Sequence, residues 1–372
     1  MRKTLALLAV LAATLMASAQ PAGFESFSVG PFKAGHVQGI AVDQQNGYVY
    51  FSFTTMLVKT DMQGRVLGSV TGFLGHLGCI TFNPADGRVY GSLEYKDDAI
   101  GQGIQRLEGT NVQFPHAWYV ASFDGSKIDR CSMDFATSGV MQATYLKTVV
   151  DDYDYRQGAV EHKYGCSGID GVTFGPRLKG DNGKQYLTVA YGIYTDLGRI
   201  DNDYQVLLQY DLSKINKLAQ PLTQDNLHQS GPGKPDGKYF VYTGNTDWGV
   251  QNLSYEPNGN KWFMLTYRGK KPGLQNRTCY VIDGNVKAQR QALKGVEPTE
   301  QGMVLQLLQQ GSKDAANGVY GWECPWGAYG FAPAGNDYYY IAIPRTLKGG
   351  QGADLHLYKW DGVPPTPFAA VK

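Results

Sequence analysis

Asp170 lies in the run GCSGIDG, beside Gly168 and Gly171 and at the start of an apolar strand pattern, so a ligand could approach the backbone closely there. Glu94 and Glu323 stand at the ends of other strand patterns. Hydrolysis of a glycosidic bond needs two flanking carboxyls, one protonated as acid and one acting as nucleophile or water-activating base. Asp170, Glu94 and Glu323 are therefore the catalytic candidates. A polar and aromatic set surrounds them. His36, Gln38, His76, Asp247, Gln251 and Trp326 lead into strands, whereas Tyr191, Tyr194, Arg268 and Arg345 follow strands. Trp326 and Tyr194 offer flat faces to the C–H side of a sugar ring, and the Gln, Asp, Glu and Arg side chains offer partners to its hydroxyls. A lyase would use His or Tyr as base and acid, with Arg268 or Arg345 neutralising an acidic sugar. A binding protein would use the same ring without a tuned acid–base pair. His36 and His76 would serve equally well as buried structural histidines. Three readings stay open: a glycan-active glycoside hydrolase, a non-catalytic carbohydrate-binding or cell-surface protein, and a polysaccharide lyase.

Other chemistries find less support. No Ser or Cys sits in a nucleophile elbow, and neither GxGxxG nor a P-loop occurs, which argues against a nucleotide cofactor. DDYDY from Asp151 and TDLGRIDNDY from Thr195 are dense enough in oxygen ligands to chelate calcium, although neither has the spacing of an EF-hand loop. Calcium is thus a cofactor candidate with no assigned ligands. Five cysteines are widely spaced, and the order of the strands allows a Cys166–Cys324 bridge.

The elements that carry these residues repeat in order. An apolar strand, a turn and a second strand recur as GIAVDQQNGYVYF from Gly39, GCITFNPADGRVYG from Gly78, GVTFGP from Gly171 leading to KQYLTVAY, NLSYEPNGNKWFMLTY from Asn252 and YGFAPAGNDYYYIAI from Tyr329. Asn-Gly and Asp-Gly supply turn residues that tolerate positive φ. After each copy comes a strand ending in an acidic turn, at Asp61, Asp124, Asp211, Asp283 and Asp361. These aspartates are expected to cap their own turns. Five alternations predict an all-β, five-bladed propeller of four-stranded blades, a sixth blade being open within residues 132–165. The fourth strands are expected at RVLGSV, KIDRCSMDF, INKLAQPL and NVKAQRQAL. The last blade lacks one at the C-terminus, and FESFSVG from Phe24 is expected to complete it and close the ring. Long connections precede the first strand of a blade or follow its second strand. Both kinds lie over one mouth of the channel, where a binding site is expected.

The repeats resemble the broad β-propeller class, with fragments such as GIAVDQQNGYVYF similar to blades of NHL or SMP-30/gluconolactonase-like propellers. That resemblance implies a fold and no particular activity. Composition agrees with it: 47 Gly and 17 Pro beside 25 Tyr and 15 Phe suit short aromatic strands and tight turns. A net charge of +1 with no basic block argues against nucleic acid. Arg2 and Lys3, the apolar run Thr4 to Met16 and the small residues Ala17-Ser18-Ala19 read as a signal peptide over residues 1–19, with residues 20–372 as one domain. A periplasmic or extracellular location without stable membrane insertion is therefore expected, with a carbohydrate or other polar small ligand as partner.

Overall fold

A computed structural model describes residues 24–180, 182–244 and 247–371, and the leader read over residues 1–19 lies outside the described residues. After β1 (Phe27–Phe32), the first blade is an antiparallel meander of β2 (Val37–Asp43), β3 (Tyr48–Phe53), β4 (Met56–Asp61) and β5 (Val66–Thr71). The second contains β6 (His76–Asn83) and β7 (Arg88–Tyr95), then helix α1 (Ala99–Glu108), β8 (Ala117–Asp124) and outermost β10 (Met141–Tyr145), while the short β9 (Met133–Asp134) between the last two joins the sheet of the first blade. Helix α2 (Lys147–Tyr153) and a hairpin of β11 (Arg156–Gln157) and β12 (Val160–Glu161) lead to the third blade. It consists of β13 (Cys166–Gly175), β14 (Tyr186–Ile193), β15 (Tyr204–Asp211) and, after helix α3 (Leu212–Leu218), β16 (Gly237–Tyr242). The fourth holds β17 (Val250–Glu256), β18 (Lys261–Thr266) and β19 (Cys279–Asp283). Four short strands follow, β20 (Gln289–Ala292), β21 (Gln301–Val304), β22 (Ser312–Lys313) and β23 (Tyr320–Gly321). The fifth blade is β24 (Phe331–Gly335), β25 (Tyr338–Leu347) and β26 (Gly350–Trp360), and β27 (Phe368–Ala370) ends the chain's strands. The chain is a five-bladed β-propeller.

The ring closes as the N-terminal strand pattern predicts. β1 runs antiparallel to β26, with Phe27 opposite Leu355 and Val29 opposite Ala353. The other end of β26 pairs with β27, Trp360 facing Phe368, so both chain ends share that strand's outer edge. Five apolar clusters fill the five seams between blades. One example joins Tyr90 and Trp118 of the second blade to Ile169 and Val189 of the third. Fully burying side chains of this size contributes about 1.5–3 kcal/mol each, which makes the seams the main source of cohesion.

The repeated glycine has a tertiary reason. A Cβ on Gly39 would lie 2.8 Å from the Ile80 nitrogen and 2.9 Å from Cys79 Cα on the next blade's inner strand. In the fourth blade Asn252 takes that place, and its Nδ2 donates at 2.9 Å to both Gln38 O and Ala328 O, tying three blades together. Register shifts at this point leave Gln38, Gln251 and the Asp170-Gly171 pair out of step with the second strand. Bulges of this kind bend a strand and re-aim its side chains. All five predicted aspartates accept a backbone N–H two residues on, for instance Asp61 from Gln63 at 3.0 Å and Asp361 from Val363 at 2.8 Å.

The outer strands differ from expectation. In place of KIDRCSMDF, the second blade uses Met141–Tyr145, the stretch that had allowed a sixth blade, while Met133–Asp134 pairs in parallel with β5 of the first blade. INKLAQPL begins as helix α3, because the Asp211 cap on Ser213 N starts a helical turn that buries Ile215. The third blade's fourth strand is Gly237–Tyr242. Gln289–Ala292 joins the third blade through β21, and the fourth blade's outer place holds the isolated bridges Ile282–Leu307 and Cys279–Trp322 in place of a continuous strand. Cys166 and Cys324 belong to different clusters and are free thiols, so the bridge that the strand order allows does not form. Among the described residues no helix is long and apolar enough to cross a membrane.

Deleting residues 24–32 removes β1 and bares the β26 edge from Gln351 to Leu355. We expect the melting temperature to fall by roughly 5 °C or more, with concentration-dependent association through the bared edge. Thermal unfolding and light scattering check this; an unchanged melt would show that β1 does not stabilise the ring.

Candidate functional site

A cavity of about 460 Å³ opens at one mouth of the channel. Its polar floor comes from the segments leading into the inner strands: His36 and Gln38, His76, Ser167 and Asp170, and Gln251. Ile100, Ile104 and Leu107 of α1 form an apolar wall, and Trp248 and Tyr267 supply aromatic surface. Helix α1 can sit so close because Gly101 has no side chain; a Cβ there would fall 1.7 Å from Lys96 O. Asp98 caps the helix by accepting from Ile100 N at 2.9 Å and Gly101 N at 3.1 Å. Trp248 is 39% exposed and holds φ at +65°. A bulky residue pays for that conformation, and such strain concentrates at ligand sites.

Beneath the floor lies a buried charge cluster. Lys96 Nζ stands 2.8 Å from Glu94 Oε1, donates to Ser167 O at 2.7 Å and lies 3.4 Å from Asp98 Oδ2. Glu94 Oε2 accepts from the Trp118 indole at 2.8 Å and from Ile169 N at 3.4 Å. His76 Nδ1 lies 3.3 Å from Glu94 Oε1 and 3.7 Å from Asp170 Oδ1. Asp170 Oδ2 accepts from Gln251 at 3.1 Å. The environments separate the two carboxylates. Burial opposes the charge on Glu94, but Lys96 and then His76 bring its pKa down to about 2. Burial and then Glu94 push Asp170 up to about 6. Burial works against the His76 imidazolium, but Glu94 and Asp170 outweigh it and raise its pKa. Burial, with His76 nearby, lowers His36 to about 4, leaving a neutral ring whose Nε2 is 3.2 Å from Gln38 Nε2. His76, Glu94 and Asp170 also form a candidate metal-binding group, one ligand atom from each lying within 4.8 Å of the others.

Of the residues the sequence singled out, the cavity lining gathers His36, Gln38, His76, Asp170 and Gln251. Glu94 lies behind them, with its oxygens already engaged. The rest serve elsewhere. Glu323 is held by Arg268, by Arg277 at 2.8 Å and by Thr278 at 3.4 Å. Arg345 pairs with Asp354 at 2.6 Å. Tyr191 is buried and donates to Asp152 at 2.7 Å, while Tyr194 donates to Asp98 at 2.6 Å and so steadies the α1 cap. Asp247 accepts from Thr195 and lies 3.3 Å from Lys270. Trp326 is exposed beside Tyr329, whose ring is 5.3 Å from Tyr267. Asp170 is thus the one carboxylate lining the cavity among the described residues. Carboxylates of the two acidic segments meet basic side chains. Asp151 faces Lys147, Asp152 meets Lys238, Asp154 meets His116, Asp201 pairs with Arg199 and Asp203 with Lys271.

Sequence reasoning missed Lys96, Trp248, Tyr267 and the α1 wall. Two signals were available: Glu94 and Lys96 are two residues apart on an emerging strand, and Trp248-Gly249 directly precedes an inner strand.

No family model matches the chain, and no curated protein matches it. Among solved structures it is similar to the β-propeller domain of Cps50 (Swd1) from Myceliophteria thermophila, at 11% identity and a TM-score of 0.34, over 90% of this chain and 72% of that one. The blade count rests on the strand pairings themselves.

Two predictions follow from this geometry. Glu94→Gln leaves the Lys96 ammonium buried without its nearest counter-charge, and we expect a loss of about 3–5 kcal/mol in chemical denaturation; a variant within 1 kcal/mol of wild type would overturn the assignment. His116 bridges Asp97 at 2.9 Å and Asp154 at 2.7 Å, joining the start of α1 to the end of α2. Burial lowers its pKa, but the two carboxylates outweigh burial and raise it. Its contribution is therefore complete below the ordinary histidine pKa of about 6.5 and is lost as pH rises through the higher folded value. His116→Gln should flatten that part of the stability–pH curve.

Proposed function

We propose that the protein is a non-catalytic binding protein whose loop-rich mouth holds a carbohydrate ligand. The observation that carries this reading is the cavity's make-up. Polar side chains on a bulged floor, Gln38, Asp170 and Gln251, face the same space as the strained and exposed Trp248. A sugar ring matches both surfaces, with hydroxyls for the amides and carboxylate and a flat C–H face for the indole. Ile100, Ile104 and Leu107 suit the apolar face of a second ring or an aglycone. Binding is favoured over hydrolysis because a second carboxyl flanking the bond is needed, and Glu94 and Glu323 are engaged by Lys96 and by Arg268 and Arg277. A lyase would need a free arginine, yet Arg268 and Arg345 are both paired. We further propose that the chain is exported, on the strength of its N-terminal segment, which the mass of the mature N-terminus tests.

A glycan array followed by titration calorimetry tests the binding reading. We expect a retained oligosaccharide, no released product, and at least a 10-fold loss of affinity in Trp248→Ala at unchanged melting temperature. New reducing ends or an unsaturated product would replace this reading with an enzymatic one. Full affinity in Trp248→Ala would remove the cavity from consideration.

A further inference from the structure

We propose that His76, Glu94 and Asp170 hold a divalent transition-metal ion at the floor of the cavity, a site that shares Asp170 with the carbohydrate reading but is tested without a sugar. The first observation is geometric. Two ligands each about 2.1 Å from a tetrahedral ion lie roughly 3.4 Å apart. Nδ1 of His76 is 3.3 Å from Glu94 Oε1 and 3.7 Å from Asp170 Oδ1, close to the edges of such a tetrahedron. The second is that Nδ1, on a side chain only about 7% exposed, has no well-aligned hydrogen bond and meets two carboxylates at ion-pair distances. A buried polar atom without a well-aligned partner costs about 1–3 kcal/mol, and a metal ion would bind Nδ1 and both carboxylates at once.

Charge supplies a third argument. Glu94, Asp98 and Asp170 face the ammonium of Lys96 and the His76 imidazole, so a divalent cation that takes the place of the imidazole's proton enters a cluster rich in carboxylates. Lys96 shares Glu94 Oε1 with the proposed ion and also meets Ser167 O at 2.7 Å and Asp98 at 3.4 Å, partners that would remain to it if a metal drew that oxygen away. Outer partners for the ligands are in place, since Gln251 holds Asp170 and Trp118 holds Glu94. Such partners orient metal ligands. A nitrogen donor with two carboxylates favours zinc, cobalt or manganese over calcium, which takes six to eight oxygens. His76 and Asp170 both line the cavity, so the fourth coordination position opens towards it.

Cobalt(II) is the direct probe. Full-length mature protein, stripped with a chelator and dialysed, is titrated with Co²⁺ while the visible spectrum is followed. We expect one equivalent to produce the absorption of a low-symmetry four-coordinate site, Zn²⁺ to abolish it, and millimolar Ca²⁺ to leave it unchanged. Asp170→Asn, which keeps the side chain's size, and His76→Gln should each weaken Co²⁺ binding at least 10-fold, with melting temperature reporting whether each variant is folded. The proposal is overturned if folded wild type shows neither a cobalt band nor stabilisation by Zn²⁺ or Mn²⁺ at millimolar concentration. It is equally overturned if folded Asp170→Asn binds cobalt as wild type does.

Discussion

Closing five twisted sheets around one axis is the constraint on which the rest of this structure depends. Each inner strand must pass close to its neighbours, and the chain must meet itself at the last seam. The second condition is satisfied at β26, whose outer edge is shared by β1 from one end of the chain and β27 from the other. Because the N-terminal strand belongs to the last blade, the ring cannot open without breaking a sheet and exposing its edge.

The first condition shapes the mouth. Near the axis there is no room for a side chain at Gly39, and in the fourth blade the same place is used by Asn252 to bond across to two other blades. The bulges at these crowded points turn Gln38, Asp170 and Gln251 into the cavity. The polar floor of the cavity is therefore tied to ring closure: the bulges lie where the inner strands crowd together, and they present polar groups.

A second layer of organisation is electrostatic. Lys96 is buried among Glu94, Asp98 and Asp170, and one carboxylate, Asp98, also caps the helix that walls the cavity. The position of α1 is thus tied to the charge beneath it. Tyr194 and His116 extend that tie to neighbouring segments, through Asp98 and through Asp97 and Asp154. The wall of the cavity and the charges beneath its floor share one set of supports.

The sequence by itself determined the fold class, the five ordered repeats, the closing N-terminal strand, the five turn-capping aspartates and the mouth positions His36, Gln38, His76, Asp170 and Gln251. All of these follow from short-range patterns: period-two strands, turn residues with positive φ, and a side chain bonding to a backbone N–H two residues away. The sixth blade that the sequence left open was excluded by the pairing of Met141–Tyr145. Only the tertiary structure decided which segments became outer strands, because Met133–Asp134 and Gln289–Ala292 pair with blades other than those they follow in sequence. It alone decided that Glu323 and Arg268 neutralise each other, and that Lys96 finds an acceptor at Ser167, 71 residues away. Pairings between groups so far apart in the chain depend on the ring being closed, and no local pattern encodes them.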